Sequence, residues 1–491
     1  MDLGGFLSLL GQFAWVILII YALIVIGVIL LDNRSPQSTF AWMFLMLALP
    51  GVGLIVYLFF GRGYRAFSSE MRVARVALDA QADALVAPLA SRQDAYIEKI
   101  AKEKPASYRS RLLEMVRRNS SSVVTAYNSL EILQNVTEKY PRLLEDVRAA
   151  QHSVHMIYFI WSEDRFTLEL KDALIERARA GVKVRALVDQ SNFTVSEQYK
   201  DEMRAAGVDI RPYKIFKQVG SLHTANYRSH RKSVVIDGHI AYVGGMNLDK
   251  EQLPEHNAPG IWRDTHLRLD GEAALALQLS FVASWLTTTG EKITDPSYFP
   301  VIEPGSRPFI PVQITQSGPD SQWKAMQQLY FHMIMAAEKT CYITSPFFIP
   351  DPSLLEAIRT TALSGVDVRI ICTPRGGTYQ LPYRAAHTYY ADVARAGAKV
   401  YLYNNGYFHC KTINIDSVVC AVGTANFDVR SFQLNYETMA VVYDEEVARK
   451  LQALFLADLK DSVEWKLEEY EKSPVTRRLG DSLCRLASPI L

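Results

Sequence analysis

The apolar positions of this chain follow three rhythms, and each predicts a different kind of element. From Phe13 to Leu31 the residues are apolar without a break, and a second apolar run extends from Phe40 to Phe60. Each run is long enough to cross a hydrocarbon layer as a helix. Pro50, Gly51 and Gly53 fall in the second run, where a membrane helix tolerates them. The polar stretch from Asp32 to Gln37 separates the two runs, so a helical hairpin is expected. Residues 66–140 then show an amphipathic helical period with a break at Pro105, which predicts a helical region leading away from the membrane or along its surface.

Beyond that point short β-branched runs alternate with helical stretches, and the alternation occurs twice. SVHMIYFIW is followed by a helix ending at Gly181 and then by VKVR; TCYITSPFFIP is followed by a helix ending at Gly365 and then by VDVR. AAGVDIRPY and ARAGAKVYLY form another matched pair. Two related α/β domains are therefore expected, each a β-sheet flanked by helices. The boundaries read as 1–65 for the hairpin, 66–140 for the helical region, 141–305 and 306–470 for the two domains, and 471–491 for an amphipathic tail.

The candidate chemistry lies late in each domain. His230, Lys232 and Asp237 recur at the same offsets as His409, Lys411 and Asp416, and each set continues through an apolar run to Gly244 and Asn247, or to Gly423 and Asn426. Around each Asp the pattern predicts two short strands joined by a tight turn. Residues two apart on a strand share a face, so the imidazole and ammonium of each pair can meet one anionic group. Two such pairs facing each other make a pocket for a phosphate diester: one imidazole attacks, the other carries a proton, and the lysines draw the oxygens. A metal is not expected, because each His has a Lys beside it and an ammonium repels a cation. The mechanism calls for no cofactor.

These residues resemble the phospholipase D superfamily, whose signature HxKxxxxD appears twice per active site. The longer strings WRDTHLRLDG, SGPDSQW and VGTANFDVRSFQLNYE are similar to those of the membrane-bound bacterial cardiolipin synthases. The resemblance implies duplicated phospholipase D-like domains forming one bipartite site behind a transmembrane hairpin. It also implies transfer of a phosphatidyl group between two phosphatidylglycerol molecules through a phosphatidyl-histidine, giving cardiolipin and glycerol. His230 is expected as the nucleophile and His409 as the acid and base. Asp264 is expected to support His230, and Glu437 to support His409. Asp237 and Asp416 complete the catalytic signatures by supporting the loop and its charge balance. Asn247, Thr424 and Asn426 are expected to hold substrate, Thr424 standing where the first half has Gly245. Phospholipase D hydrolysis, or transfer to another lipid alcohol, uses the same machinery and stays open.

Composition narrows the partners. The 491 residues carry a formal charge of +1 and are 49% hydrophobic, which gives no support to extended nucleic-acid contact. Five cysteines without paired spacing fit a reducing compartment. Asp2 without a basic neighbour argues against a secretory signal. Arg62, Arg65, Arg72 and Arg75 follow the second span, which places the remainder on the cytoplasmic face of an anionic cell membrane. His223, Tyr227, His387, Tyr389 and Tyr390 are candidates for the substrate entrance. The tail combines Arg477, Arg478 and Arg485 with Leu479, Leu483 and Leu486, and either an anionic leaflet or the catalytic body suits it. The oligomeric state stays open.

Overall fold

A computed structural model describes residues 16, 19–31, 36–49, 51–53, 56–57, 87, 89–213, 227–256, 260–374 and 380–490. The chain divides into one unit of residues 1–73 with 216–227 and a second of residues 74–215 with 228–491. In the first, residues 19–31 and Pro36–Ala48 are helical. Val25, Ile29, Met46 and Tyr57 bury one another, with Tyr21 and Trp42 packed against them. Leu23, Ile24, Leu31, Phe40 and Phe44 are apolar yet exposed. Among the described residues no helix is long and apolar enough to cross a membrane. Residues 13–15, 17–18, 50, 54–55 and 58–60 of the two expected spans, and His223, lie outside the described residues.

The second unit is organised by one mixed sheet that passes through both halves of the duplication. Its first-half strands are β1 (Val124–Gln134), β2 (Ser153–Tyr158), β3 (Lys183–Asp189), β4 (Asp209–Tyr213), β5 (Ser233–Ile236), β6 (Ile240–Gly244) and β7 (Thr265–Gly271). The second half supplies β8 (Phe309–Ser317), β9 (Thr340–Thr344), β10 (Asp367–Cys372), β11 (Lys399–Tyr403), β12 (Thr412–Ile415), β13 (Val419–Gly423) and β14 (Asn435–Val442), and β15 (Ser462–Glu464) borders β11. The spatial order is β1-β7-β6-β5-β2-β3-β4 in one half and β8-β14-β13-β12-β9-β10-β11 in the other. The two runs join through antiparallel β1 and β8.

Matching helices lie between matching strands: α1 (Asn135–Ala149), α2 (Arg165–Arg179), α3 (Glu197–Ala205) and α4 (Glu272–Thr289), then α5 (Ala325–Ala336), α6 (Pro352–Leu363), α7 (Gln380–Ala394) and α8 (Glu445–Lys460). Asp164 and Asp351 cap α2 and α6 through backbone N–H groups. Gly181 and Gly365 terminate those helices with φ of 94° and 90°, a conformation glycine adopts without steric cost. Val235, Leu267 and Leu269 pack with Val312, Val422, Ala440 and Val442 in a core drawn from both halves.

The helical region expected over residues 66–140 is corrected in one respect. Its last part is β1, the strand that joins the halves, because Val123, Val124, Thr125 and Tyr127 favour extended chain. The helices Gln93–Glu103 and Ser110–Ser120 are present and pack on the body. Tyr96, Ile100, Leu112, Leu113 and Val116 are buried in the second-half core.

Candidate active site

Each signature histidine follows a short strand that runs parallel to a strand from the other half. Arg228–Ser229 pairs with Asn435–Tyr436, and Gly406–Phe408 pairs with Ile261–Arg263. The pairing carries one residue further: the His230 N–H donates to the Tyr436 carbonyl at 3.0 Å, and the His409 N–H donates to the Arg263 carbonyl at 2.8 Å. The residue after each accepting carbonyl is a carboxylate. Nδ1 of His230 lies 2.9 and 3.1 Å from the two oxygens of Glu437, and Nδ1 of His409 lies 2.7 Å from Oδ2 of Asp264. The expected assignment of Asp264 to His230 and Glu437 to His409 is therefore reversed. A carboxylate only accepts, so each ring carries its proton on Nδ1 and presents Nε2 as a free lone pair.

The carboxylates are held from several directions. Glu437 is fully buried and accepts from the Thr424 hydroxyl and from the Asn435 amide at 3.3 Å. Thr424, expected to meet substrate, thus spends its hydroxyl on positioning Glu437. Asp264 accepts the Thr265 N–H at 2.7 Å, and its backbone is held by Asn135, whose φ of 61° turns the chain at the start of α1. The departure from symmetry at Gly245 has a steric reason. A Cβ there would stand 2.1 Å from Oδ1 of Asp264, so the shorter carboxylate needs glycine where the longer one uses Thr424.

Lys232 and Lys411 each donate to the carbonyl of their own histidine, at 2.7 Å for Lys232. One of three ammonium protons is used there, leaving the others for a ligand. Arg231, between His230 and Lys232, turns the opposite way to Ser280 and Ser284 at 3.0 Å. Cys410 likewise turns towards Thr265. Burial lowers the Lys411 ammonium to about 8 while Asp264 pulls it back up, and burial lowers Lys232 well below its usual range while Glu437 opposes the shift. Each lysine's charge acts on the other half's histidine, so the two signatures share one electrostatic site. Burial alone would raise Glu437 and Asp264, but the facing histidines and lysines hold both below the usual carboxylate range.

The remaining expected residues divide by location. Oδ1 of Asn247 accepts the Ile160 N–H at 3.2 Å, leaving its NH2 group for a ligand. Oδ1 of Asn426 is buried without a partner; as an acceptor it calls for a donor such as a lipid hydroxyl, and only the NH2 group of Asn426 can meet a diester oxygen. Asp237 and Asp416, named with the catalytic signatures, have the loop-supporting part of that role and stand apart from the reacting groups. They sit at the far ends of β5 and β12, about 15 Å along the strand from the lysines. Asp237 accepts N–H groups of Gln151, His152 and Ser153, and Asp416 those of Glu338, Lys339 and Thr340. They tie the hairpins to the first turns of β2 and β9, with φ of 49° and 53° at the two aspartates.

His387 does not line an entrance: it is buried, with Nδ1 3.1 Å from Asp481, while Tyr389 bonds Ser488 and Tyr390 is 1% exposed. Among the described residues no group of three or more His, Cys, Asp and Glu side chains is placed to hold a metal ion. Two further groups support the site: Lys139, which carried no sequence signal, and Arg263, which lies in the string WRDTHLRLDG. Lys139, fully buried on α1, donates to the Met246 carbonyl at 3.0 Å, and burial lowers it to about 7. Arg263 bonds Asp458 at 2.8 Å and the Asp264 carbonyl at 2.6 Å, fixing the strand against which His409 lies.

Gly245→Ala is expected to displace Asp264 and lower turnover by about 10²-fold or more, the scale of a disabled general acid or base. Initial rates, with a melting curve to verify folding, measure it. Burial also lowers His230 to about 4 and His409 to about 3, Glu437 and Asp264 raising them only in part, from an ordinary 6.5. The unfolded chain takes up these protons first as pH falls below about 6.5, so acid favours unfolding across that window. The unfolding midpoint should fall from about pH 6.5 towards 4, and replacing both histidines by Gln should flatten that limb.

The family model described as cardiolipin synthase, PLD-like domain, matches residues 143–265 and 330–459, and the phospholipase D-nuclease N-terminal model matches residues 13–62. The cardiolipin synthase of Halalkalibacterium halodurans is 34% identical over 97% of this chain and 94% of its own length. The major cardiolipin synthase of Bacillus subtilis is 36% identical over 96% of this chain and 98% of its own length. In the solved structures, a phosphatidylserine synthase from Haemophilus influenzae superposes with a TM-score of 0.58 at 15% identity, covering 78% of this chain and 99% of that one, a likeness of fold. Together these matches, spanning nearly the whole chain, show that it belongs to the bacterial cardiolipin synthases, phosphatidyltransferases of the phospholipase D superfamily.

Proposed function

We propose that the protein converts two phosphatidylglycerol molecules into cardiolipin and glycerol by way of a phosphatidyl group carried on His230. The observation that carries this reading is the pair of imidazoles with Nδ1 engaged by carboxylates from the opposite half and Nε2 left free. Nε2 of His230 attacks phosphorus, the bond from phosphorus to the glycerol oxygen breaks, and protonated His409 gives its Nε2 proton to that oxygen. Glu437 balances the positive charge that forms on His230. Neutral His409 then takes the proton from the terminal hydroxyl of a second phosphatidylglycerol. That oxygen bonds to phosphorus as the bond to His230 breaks, and both rings return to their starting state.

Lys232 and Lys411, with the amide groups of Asn247 and Asn426, hold the diester oxygens through both steps. The bound anion raises the pKa of His409 and so supplies the acid form the first step needs. His230 is assigned as nucleophile by the superfamily's tendency. Residues 13–31 and 40–60 are read as a membrane hairpin, an assignment supported by the apolar outward faces of residues 19–31 and Pro36–Ala48 and by the N-terminal family match. The positive-inside rule places the catalytic body on the cytoplasmic side.

Purified full-length protein supplied with phosphatidylglycerol should release glycerol and cardiolipin in equal amounts. Accumulation of phosphatidic acid instead would identify a hydrolase. His230→Ala and His409→Ala should each lower the rate by about 10²-fold or more. Labelled phosphatidyl groups should remain on the protein in His409→Ala and be lost in His230→Ala; label retained only when His230 is absent would reverse the two roles.

A further inference from the structure

The terminal helix α9 (Val475–Arg485) is amphipathic, and its polar side is the one docked on the protein. Asp481, 1% exposed, lies 2.9 Å from Arg384 and 3.1 Å from His387 on α7. Gly480 permits this approach, because a Cβ there would stand 2.2 Å from the Arg384 guanidinium. Arg485 bonds Asp392 at 2.9 Å, and the following turn is held by Tyr389 and Ser488 at 2.9 Å. The attachment is thus built from ion pairs and hydrogen bonds.

The apolar side faces outward. Val475 is 70% exposed, Leu479 59%, Leu483 60% and Leu486 76%. Their spacing places all four on one stripe of the helix, opposite Asp481. A helix that needed only to pack on the body would bury that stripe and expose its charges. The exposed Thr476 and Ser482 flank the stripe, half-exposed Arg478 stands at its margin, Arg477 lies towards the docked side, and the one acid of the helix is buried, so the free face offers aliphatic carbon with hydroxyl neighbours and a basic edge. That combination complements an anionic leaflet: acyl chains take the leucines and a lipid phosphate takes Arg478 at the edge.

We propose that α9 lies in the surface of an anionic membrane, held to the catalytic body through Asp481. The position is useful to the reaction, because the turn Ser488–Ile490 packs on the helix Val429–Gln433, which directly follows Asn426 and Asp428. A leaflet seated on α9 is thereby close to the second-half rim of the site, where lipid substrates and products must pass.

Full-length protein with Leu483→Cys in a Cys484→Ser background, labelled with an environment-sensitive fluorophore, tests the contact directly. In vesicles of phosphatidylcholine with phosphatidylserine, emission should shift to the blue, be quenched by brominated acyl chains and resist aqueous iodide. Quenching by iodide alone would overturn the proposal. So would an excimer signal from a pyrene label without lipid quenching, which would make a second copy the occupant. This readout does not depend on the lipid product, so it succeeds or fails independently of the activity assigned above. In parallel, Leu479→Ser with Leu483→Ser should keep the melting temperature and the rate in detergent micelles, but lose several-fold in rate on vesicles. An equal loss in both media, or no loss in either, would contradict it.

Discussion

The structure depends on an exchange of carboxylates between its two halves. A buried imidazole needs an acceptor for its Nδ1 proton, and here neither half supplies its own: Glu437 serves His230 and Asp264 serves His409. Removing one partner of such a buried pair leaves a desolvated charge, a loss of about 3–5 kcal/mol. Each half-site is therefore incomplete alone, and the elements that fix the halves together also build the site. The β1–β8 junction sets the register of the sheet, and the strand pairs beside each histidine deliver the carboxylates to within hydrogen-bond reach.

A second constraint is charge. The site collects two ammonium groups against two carboxylates in a buried space, and burial already weakens the hold of both lysines on their protons. These charges balance, so an anionic diester makes the site net negative and favours the charged form of each lysine and the protonation of a histidine; ligand binding and the protonation of the site are linked. The histidines respond in the same direction. Burial keeps both neutral when the site is empty, which suits a nucleophile, and a bound anion favours the protonated form that an acid requires.

Much of this arrangement was legible in the chain. The paired signatures, the two hairpins and the helices ended by Gly181 and Gly365 follow from short-range patterns, and the matched strand order follows from the repeat. The crossed assignment did not, because Asp264 lies nearer in sequence to His230 and only the strand pairing between halves brings it to His409. Thr424 gave no sign that its hydroxyl faces Glu437, although the Gly245 that stands opposite it in the repeat marked a real asymmetry. Lys139 reads as a surface lysine on an amphipathic helix, and its burial is a product of tertiary packing. β1 was hidden among helical neighbours because its apolar positions follow directly on the amphipathic helices Gln93–Glu103 and Ser110–Ser120, and its pairing with β7 and β8 is long-range. His387 read as a candidate for the substrate entrance because its partner, Asp481, is 94 residues away on α9, and the polarity of that helix becomes informative only when its docked side is known.

Nitrogen-15 spectra of the histidine Nδ1–H groups, assigned with single histidine replacements, test the crossed pairing most directly. Strongly deshielded protons are expected on both His230 and His409, with the His230 signal lost in Glu437→Gln and retained in Asp264→Asn, and the His409 signal showing the opposite pattern. Loss of the His230 signal in Asp264→Asn, with retention in Glu437→Gln, would mean that each half supports its own histidine and would contradict the account.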